Sequence, residues 1–314
     1  MFGSVVLEIF LGLAFLFLTL SLVVTTAQEL LAGLFGMRAA NLIKGVRNLL
    51  HDGDGRQNER PLTEEVFNHP ALMALYKGRA RSWLSGLVGN GPSYVPNSAF
   101  SVALLDTLRR RNSTGTVAPI SLEELFGRAP DIVEGLPPGP LRDALTLLVG
   151  HGGETERSLH RRAAEAEKKL SEWFDASMNR ASGWYKRKSQ AIGLVLGAAL
   201  VLVVDANALD FIADLRTNAT LREALSESAG NAVSATSDQG MELLLAQLDQ
   251  FPLGWDAGET IADRFADSSV ALRSVAGWLM TVLAISLGAA FWFDLTKKAL
   301  TLRASGPKPG ETIS

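Results

Sequence analysis

Apolar and polar positions divide the chain into long uncharged runs and stretches of helical periodicity. Residues 9–28, IFLGLAFLFLTLSLVVTTAQ, and 274–293, SVAGWLMTVLAISLGAAFWF, carry no charge. Each is long enough to cross ~30 Å of hydrocarbon at ~1.5 Å per residue, so each predicts a transmembrane helix. Between them a second run, QAIGLVLGAALVLVV at 190–204, is shorter. It spans if Lys186, Arg187 and Lys188 snorkel at one end and Asp205 sits near the headgroups at the other. Lipid offers no hydrophobic drive for helix association, so small residues that let backbones approach mark the expected contacts. Ser189, Gly193 and Gly197 form such a stripe, echoed by Ala284 and Gly288.

Between the first and second runs the pattern is that of amphipathic helices. Helical signals recur at 64–76, 97–111, 121–127 and 140–150, with Asn97 a candidate N-cap. Ser121 and Glu124 have the spacing of a capping box, with Gly127 as the stop. Segments 51–61 and 112–119 read as loops, and the proline-rich 130–140 as a connector that stops any helix. From Leu159 a heptad-like stripe of Ala163, Ala166, Leu170 and Trp173 continues through Phe174, Met178, Ala181 and Tyr185 into the second run. That predicts one long helix entering the membrane. Its stripe spans two heptads, too few for a free coiled coil, and docking within the chain is favoured.

The expected fold is therefore an all-α membrane protein with three transmembrane helices and a mostly helical cytoplasmic domain. Its parts are a first span within 1–37, the domain at 38–188, a second span at 189–207, an acidic loop at 208–272, a third span at 273–296 and a tail at 297–314. Lys and Arg near span ends set the orientation. Arg38, Lys44 and Arg47 follow the first span; Arg180, Lys186, Arg187 and Lys188 precede the second; Lys297, Lys298 and Arg303 follow the third. The N-terminus has none, and 205–272 holds Arg216, Arg222 and Arg264. All three spans agree on a multi-pass protein with its N-terminus outside and its C-terminus cytoplasmic. Trp184, Tyr185, Lys186, Arg187, Lys188, Trp255, Lys297 and Lys298 are the expected interfacial anchors. The first span is expected to be a retained anchor, since no Lys or Arg precedes it and its apolar run is too long for a signal peptide.

Composition adds mainly exclusions. The 314 residues include no cysteine, which removes disulfides, thiolate metal sites and Cys nucleophiles. A net charge of −3 gives no basic field for nucleic acid, and none is expected as a partner. The four histidines show no HxxxH or HExxH spacing, and no phosphate-binding or nucleophile-elbow motif is present. No catalytic residue, cofactor or metal is therefore expected. Arg109, Arg110 and Arg111 could grip a phosphate, but a solvated helix end is the commoner use of such a run. The acidic loop could attract cations; the simpler reading is that an outer loop lacks basic residues. A pore lined by Thr19, Ser21, Thr25 or Thr281 would need several copies of the chain.

The stretches HPALMALY, PSYVPNSAFSVALLD, WFDASMNRASGWYKRKSQ and GWLMTVLAISLGAAFWFDLTKKALTLR resemble a family of bacterial inner-membrane proteins to which no activity is assigned. The resemblance covers most of the chain and implies a bacterial source and the same three-span layout. The family has a proline before FWFD where this chain has Ala290. The resulting expectation is a non-enzymatic membrane scaffold, in contact with membrane lipids, that docks a cytoplasmic protein partner and can form a homo-oligomer. An oligomeric pore or membrane-disrupting effector is the alternative.

Overall fold

A computed structural model describes residues 2–52, 61–74, 92–113, 117–150, 159–234, 251–255 and 258–304. Among them there are helices and connections but no strand, so the protein is all-α. Two helices are long and apolar enough to cross a membrane, Val5–Leu34 and Ser268–Ser286. The number rises to three if Leu159–Val203 and Ala208–Thr217, bent by 51° at their junction, count as one broken span. The chain divides into two compact units, Met1–Leu30 with Ser189–Ser314, and Leu31–Lys188.

The unit Leu31–Lys188 is built on α2 (Met37–Leu49), α3 (Leu62–Phe67), α4 (Pro70–Met73), α5 (Asn97–Asn112), α6 (Leu122–Gly127), α7 (Ala129–Glu134), α8 (Pro140–Val149) and the first part of α9 (Leu159–Val203). α5 is central: Phe100, Leu104, Leu105 and Leu108 are almost wholly buried, and α3, α4, α6 and α7 lie against it. The stripe on α9 closes this core, with Ala163, Ala166, Leu170 and Phe174 buried and Trp173 half-buried. Phe174 stacks on Phe100 with ring centroids 4.2 Å apart. The heptad pattern is thus satisfied inside the chain, and burial of its apolar positions holds α9 down.

Local signals differ from expectation in two places. Pro130 does not stop a helix but starts α7, where its missing N–H is one of the unpaired donors of a first turn; Pro140 starts α8 in the same way. α5 begins at Asn97 itself, preceded by Pro96, and the Asn97 side chain accepts from Ser98 N instead of capping from outside. Ser121 does cap α6, accepting from Glu124 N, while the Glu124 carboxylate turns to Arg128 at 2.7 Å.

The other unit gathers around α1 (Phe2–Leu34). Leu11 and the stretch Ala14–Leu18 are at most 3% exposed, so neighbours in the chain rather than solvent or lipid surround that part of the helix. Those neighbours include α10 (Ala208–Thr217) and α11 (Ala219–Ser234), which lie in the acidic segment expected as an outer loop. Phe211, Leu215, Leu225, Ala229 and Ala232 join the same core as Phe15. A Cβ on Gly12 would stand 3.2 Å from Leu215, and Phe251 meets both Phe15 and Phe211. α12 (Ile261–Arg264) leads to α13 (Ser268–Ser286), which lies along α10.

The third run is not one straight helix. α13 ends at Ser286, Gly288 takes a φ of 89°, and α14 (Ala289–Ala304) follows in contact with α11. Glycine makes this break, since a left-handed φ costs it nothing. Trp292 secures it by donating its indole N–H to Ala284 O at 2.7 Å and by packing on Phe17.

Candidate functional site

The densest polar arrangement in the unit that contains α1 lies where α9 gives way to α10. A helix end leaves carbonyls without partners. Here Val204 N bonds Leu200 O, Ala206 N bonds Val201 O, and the Trp255 indole donates to Leu202 O at 3.0 Å. Asp205 turns the chain with a φ of 44°. Two residues later Asn207 caps α10, its Oδ1 accepting from Leu209 N and Asp210 N. Ala208 N bonds Thr281 Oγ1, which itself donates to Ala206 O at 2.7 Å. Asn207 is buried, and its Nδ2 has no partner among the described residues. Its amide lies so close to Gly277 that a Cβ there would overlap it.

Asp205 is buried. Its side chain is 4% exposed, with one oxygen accepting from the Trp278 indole at 2.8 Å and the other from Arg264 at 2.6 Å. Arg264 also pairs with Glu259 at 2.8 Å and Asp210 at 3.5 Å, and lies 5.6 Å from the centre of the Trp255 ring. Burial works against its charge, but Asp205, Glu259 and Asp210 outweigh that and push its pKa up. Arg273, which the sequence reading passed over, pairs with Asp210 at 2.9 Å. Asp263 and Asp267 cap α12 and α13, and bonds from Thr260 and Ser269 lower their pKa values. Most of these carboxylates therefore serve arginines and helix ends, and the arrangement closes a helix break around a buried ion pair.

A second cluster lies in the unit Leu31–Lys188. Asp106 on α5 accepts from Arg109 at 2.7 Å, from Arg110 at 2.6 Å and from His69 Nε2 at 3.1 Å. His69 Nδ1 accepts from Ala71 N, which leaves the proton on Nε2 for Asp106. Burial disfavours the carboxylate, yet the two guanidiniums and the imidazole outweigh it and lower its pKa from 3.8 to about 2. Arg109 also reaches Ala118 O, and Arg111 pairs with Glu65 at 3.3 Å. The arginine run thus ties α5 to its surroundings; it does not form a phosphate grip.

The expected membrane contacts fall in different settings. Ser189 accepts a hydrogen bond from Gln28, and a Cβ on Gly193 would meet Gln28 Oε1 at 2.6 Å. A Cβ on Gly197 would stand 3.0 Å from Ile285. At these three positions α9 comes close to α1 and α13. Ala284 supplies the carbonyl for Trp292, but Gly288 has nothing within 4 Å of a built Cβ, so backbone conformation and not close approach requires it. Trp184, Lys186, Arg187, Lys188, Lys297 and Lys298 are exposed, while Tyr185 and Trp255 are half-buried. Thr19, Ser21 and Thr281 are buried and donate to Phe15 O, Ile285 O and Ala206 O; exposed Thr25 donates to Ser21 O. Those hydroxyls all bond backbone carbonyls within the chain. Two glycine-rich stretches that read as turns, 89–91 and 150–153, lie outside the described residues except for Gly150. Among the described residues no group of His, Asp or Glu is placed to hold a metal.

Compared with family models, with curated proteins and with solved structures, the chain matches none.

Proposed function

We propose that this chain is a non-enzymatic anchor of a bacterial inner membrane, with three spans, an outer N-terminus, and residues 38–188 facing the cytoplasm to dock a protein partner. The observation that supports it most is α9. This single helix of 45 residues places Leu170 and Phe174 in one apolar core and Val201 in another. A partner docked on residues 38–188 would thus engage a chain whose helix α9 runs on into the second expected span. Exposed Leu272, Leu279 and Leu283 on α13, and Leu194, Val195, Leu202 and Val203 on α9, give acyl chains a surface to cover. On this reading α9 and α10 form one broken span, and the distribution of Lys and Arg sets its direction.

The absence of native cysteine makes topology directly measurable, because every introduced thiol is unique. Glu123→Cys and Ala219→Cys place thiols at exposed positions of the two units. In intact cells a membrane-impermeant maleimide should label Ala219→Cys and spare Glu123→Cys until the cells are lysed. Labelling of Glu123→Cys before lysis would invert the orientation. Release of the protein by alkaline carbonate would end the anchor reading.

A further inference from the structure

The end of α2, α3, the end of α5 and the connector from α7 to α8 enclose an open cleft of about 770 Å³ within the unit Leu31–Lys188. That volume falls within the ~300–1,000 Å³ of ligand sites. Its floor is apolar, with Leu50, Leu62, Leu108 and Leu136 all at most 8% exposed. One rim is formed by residues 135–142, GLPPGPLR. Leu136 N already bonds Val133 O, and Pro137, Pro138 and Pro140 have no N–H. Among the described residues nothing donates to the carbonyls of Leu136, Pro137 or Pro138. The rim therefore offers acceptors and almost no donors. An occupant that displaces water from those carbonyls has to supply N–H groups in return, and a peptide main chain carries them at regular spacing.

Charge sets what that peptide brings. Asp52 accepts from Leu62 N at 2.9 Å and from Thr63 N at 2.7 Å, and Glu65 pairs with Arg111 at 3.3 Å, so the carboxylates lining the cleft are engaged. Arg142 also lines it, half-buried, and no described residue holds its guanidinium. His51 is exposed and takes a φ of 53° just after the C-cap of α2, where glycine is the usual residue. Its ring adds nothing to the core, so packing does not demand that backbone. A guanidinium and an imidazole without acids of their own call for a carboxylate. A second cleft of about 430 Å³ shares Arg142 and extends along α8 to Leu147, which is 88% exposed. Glu134 and Asp143 line that part, which confines the anion to the larger cleft. α8 has 10 residues and is ~15 Å long, a length that about five extended residues cover. We infer that this groove docks an extended apolar segment of the cytoplasmic partner, with a carboxylate of the segment on Arg142 and its main-chain N–H groups on the carbonyls of Leu136, Pro137 and Pro138. The inference rests on the anchor reading above for the existence of that partner and names the surface it meets.

The test immobilises the full chain in a neutral detergent and selects from a phage-displayed library of random heptapeptides, with the enriched sequences remade as labelled soluble peptides. The enriched set should share one Asp or Glu among Leu, Ile, Val or Phe. Fluorescence anisotropy should show that Arg142→Ala weakens the best peptide by roughly tenfold. Lys168→Ala, at an exposed position of α9 that does not line the groove, should leave binding unchanged. Selection on Arg142→Glu should instead yield Lys or Arg in place of the acid, a reversal that a merely structural arginine would not produce. N-methylating the peptide one amide at a time should find positions where affinity falls by a similar factor. If Arg142→Ala does not fold, Arg142→Lys decides, because it keeps the charge and loses the fork. An unenriched library, or enriched peptides without a common acid, overturns the groove as a docking site. Unchanged affinity in a folded Arg142 variant overturns the residue, and indifference to N-methylation overturns the main-chain contacts. An unenriched library with the chain dimeric in detergent assigns the groove to a second copy and overturns the partner. Carbonate extraction of the wild type separates this proposal from the anchor: a failed groove leaves the protein in the membrane pellet, whereas a failed anchor does not.

Discussion

Trp278 donates its indole N–H to Asp205 at 2.8 Å and fixes one oxygen of a carboxylate whose other oxygen is held by Arg264 at 2.6 Å. The pair closes the break between α9 and α10 from α13 on one side and α12 on the other. Removing one partner of a buried ion pair strands the other, which typically costs ~3–5 kcal/mol. Asp205→Ala should therefore lower the unfolding free energy in detergent by about that amount. Adding Arg264→Ala should cost less than it does alone, since the Asp205 contact is already gone and only those to Glu259 and Asp210 remain to be lost. Thermal melts of the two single variants and the double variant check this, and additive losses would mean that the pair is not coupled.

Gly277 carries a different constraint. A Cβ there would overlap the Asn207 amide, whose Oδ1 caps α10. Gly277→Ala should force that amide aside, combining overpacking of ~1–3 kcal/mol with loss of a cap worth ~1 kcal/mol. Gly197→Ala should cost far less, because its Cβ would meet only the end of the flexible Ile285 side chain at 3.0 Å. Equal losses in the two variants would show that α10 is not held against α13 in this way.

The Asp106 cluster predicts an acid-dependent stability. Its carboxyl falls from 3.8 to about 2 on folding, because Arg109, Arg110 and His69 overcome the effect of burial. A depressed carboxyl pKa stabilises the fold above the unfolded value, and the contribution fades as pH drops through the folded one. Wild type should therefore exceed Asp106→Asn by an amount that is constant above pH ~4.5 and shrinks between about pH 4 and pH 2, with ~2 kcal/mol at stake. Denaturant melts across that range provide the check. A difference independent of pH would mean that Asp106 acts through shape alone.

How much of this could be read in advance varied with the physical signal. The uncharged runs at 9–28 and 190–204 needed only hydropathy, and the α9 stripe needed only its spacing, because Ala163, Ala166, Leu170 and Phe174 repeat at helical intervals. The helices in 208–234 were hidden by the acidic residues within them, Asp210, Asp214, Glu223 and Glu227. Phe211 with Leu215, and Leu225 with Ala229 and Ala232, have the i, i+4 and i, i+4, i+7 spacing of a buried face. Scored alone, that spacing would have marked α10 and α11 as packed helices. The partners of Asp205 had no such local signal, since Arg264 and Trp278 lie 59 and 73 residues away. Arg109 and Arg110 did have one: an aspartate three and four residues before them can pair with both on a single helix face.

Gly288 and Gly183 should respond to alanine with opposite signs, although at neither would a Cβ come within 4 Å of any described residue beyond its own local chain. Space is available at both, so backbone conformation alone separates them. Gly288 has a φ of 89° at the break between α13 and α14, where an L side chain is strained. Gly288→Ala should cost ~1 kcal/mol or more, and Gly288→Asn less, because asparagine tolerates left-handed backbone better. Gly183 lies within α9, where glycine destabilises a helix relative to alanine by ~0.5–1 kcal/mol, so Gly183→Ala should stabilise by that amount. Thermal melts of the two variants under one detergent condition check both. A loss at Gly183 would mean that α9 needs its glycine for a bend or for a contact with a partner, and that outcome would direct the search for the partner to the stretch of α9 just before Lys186.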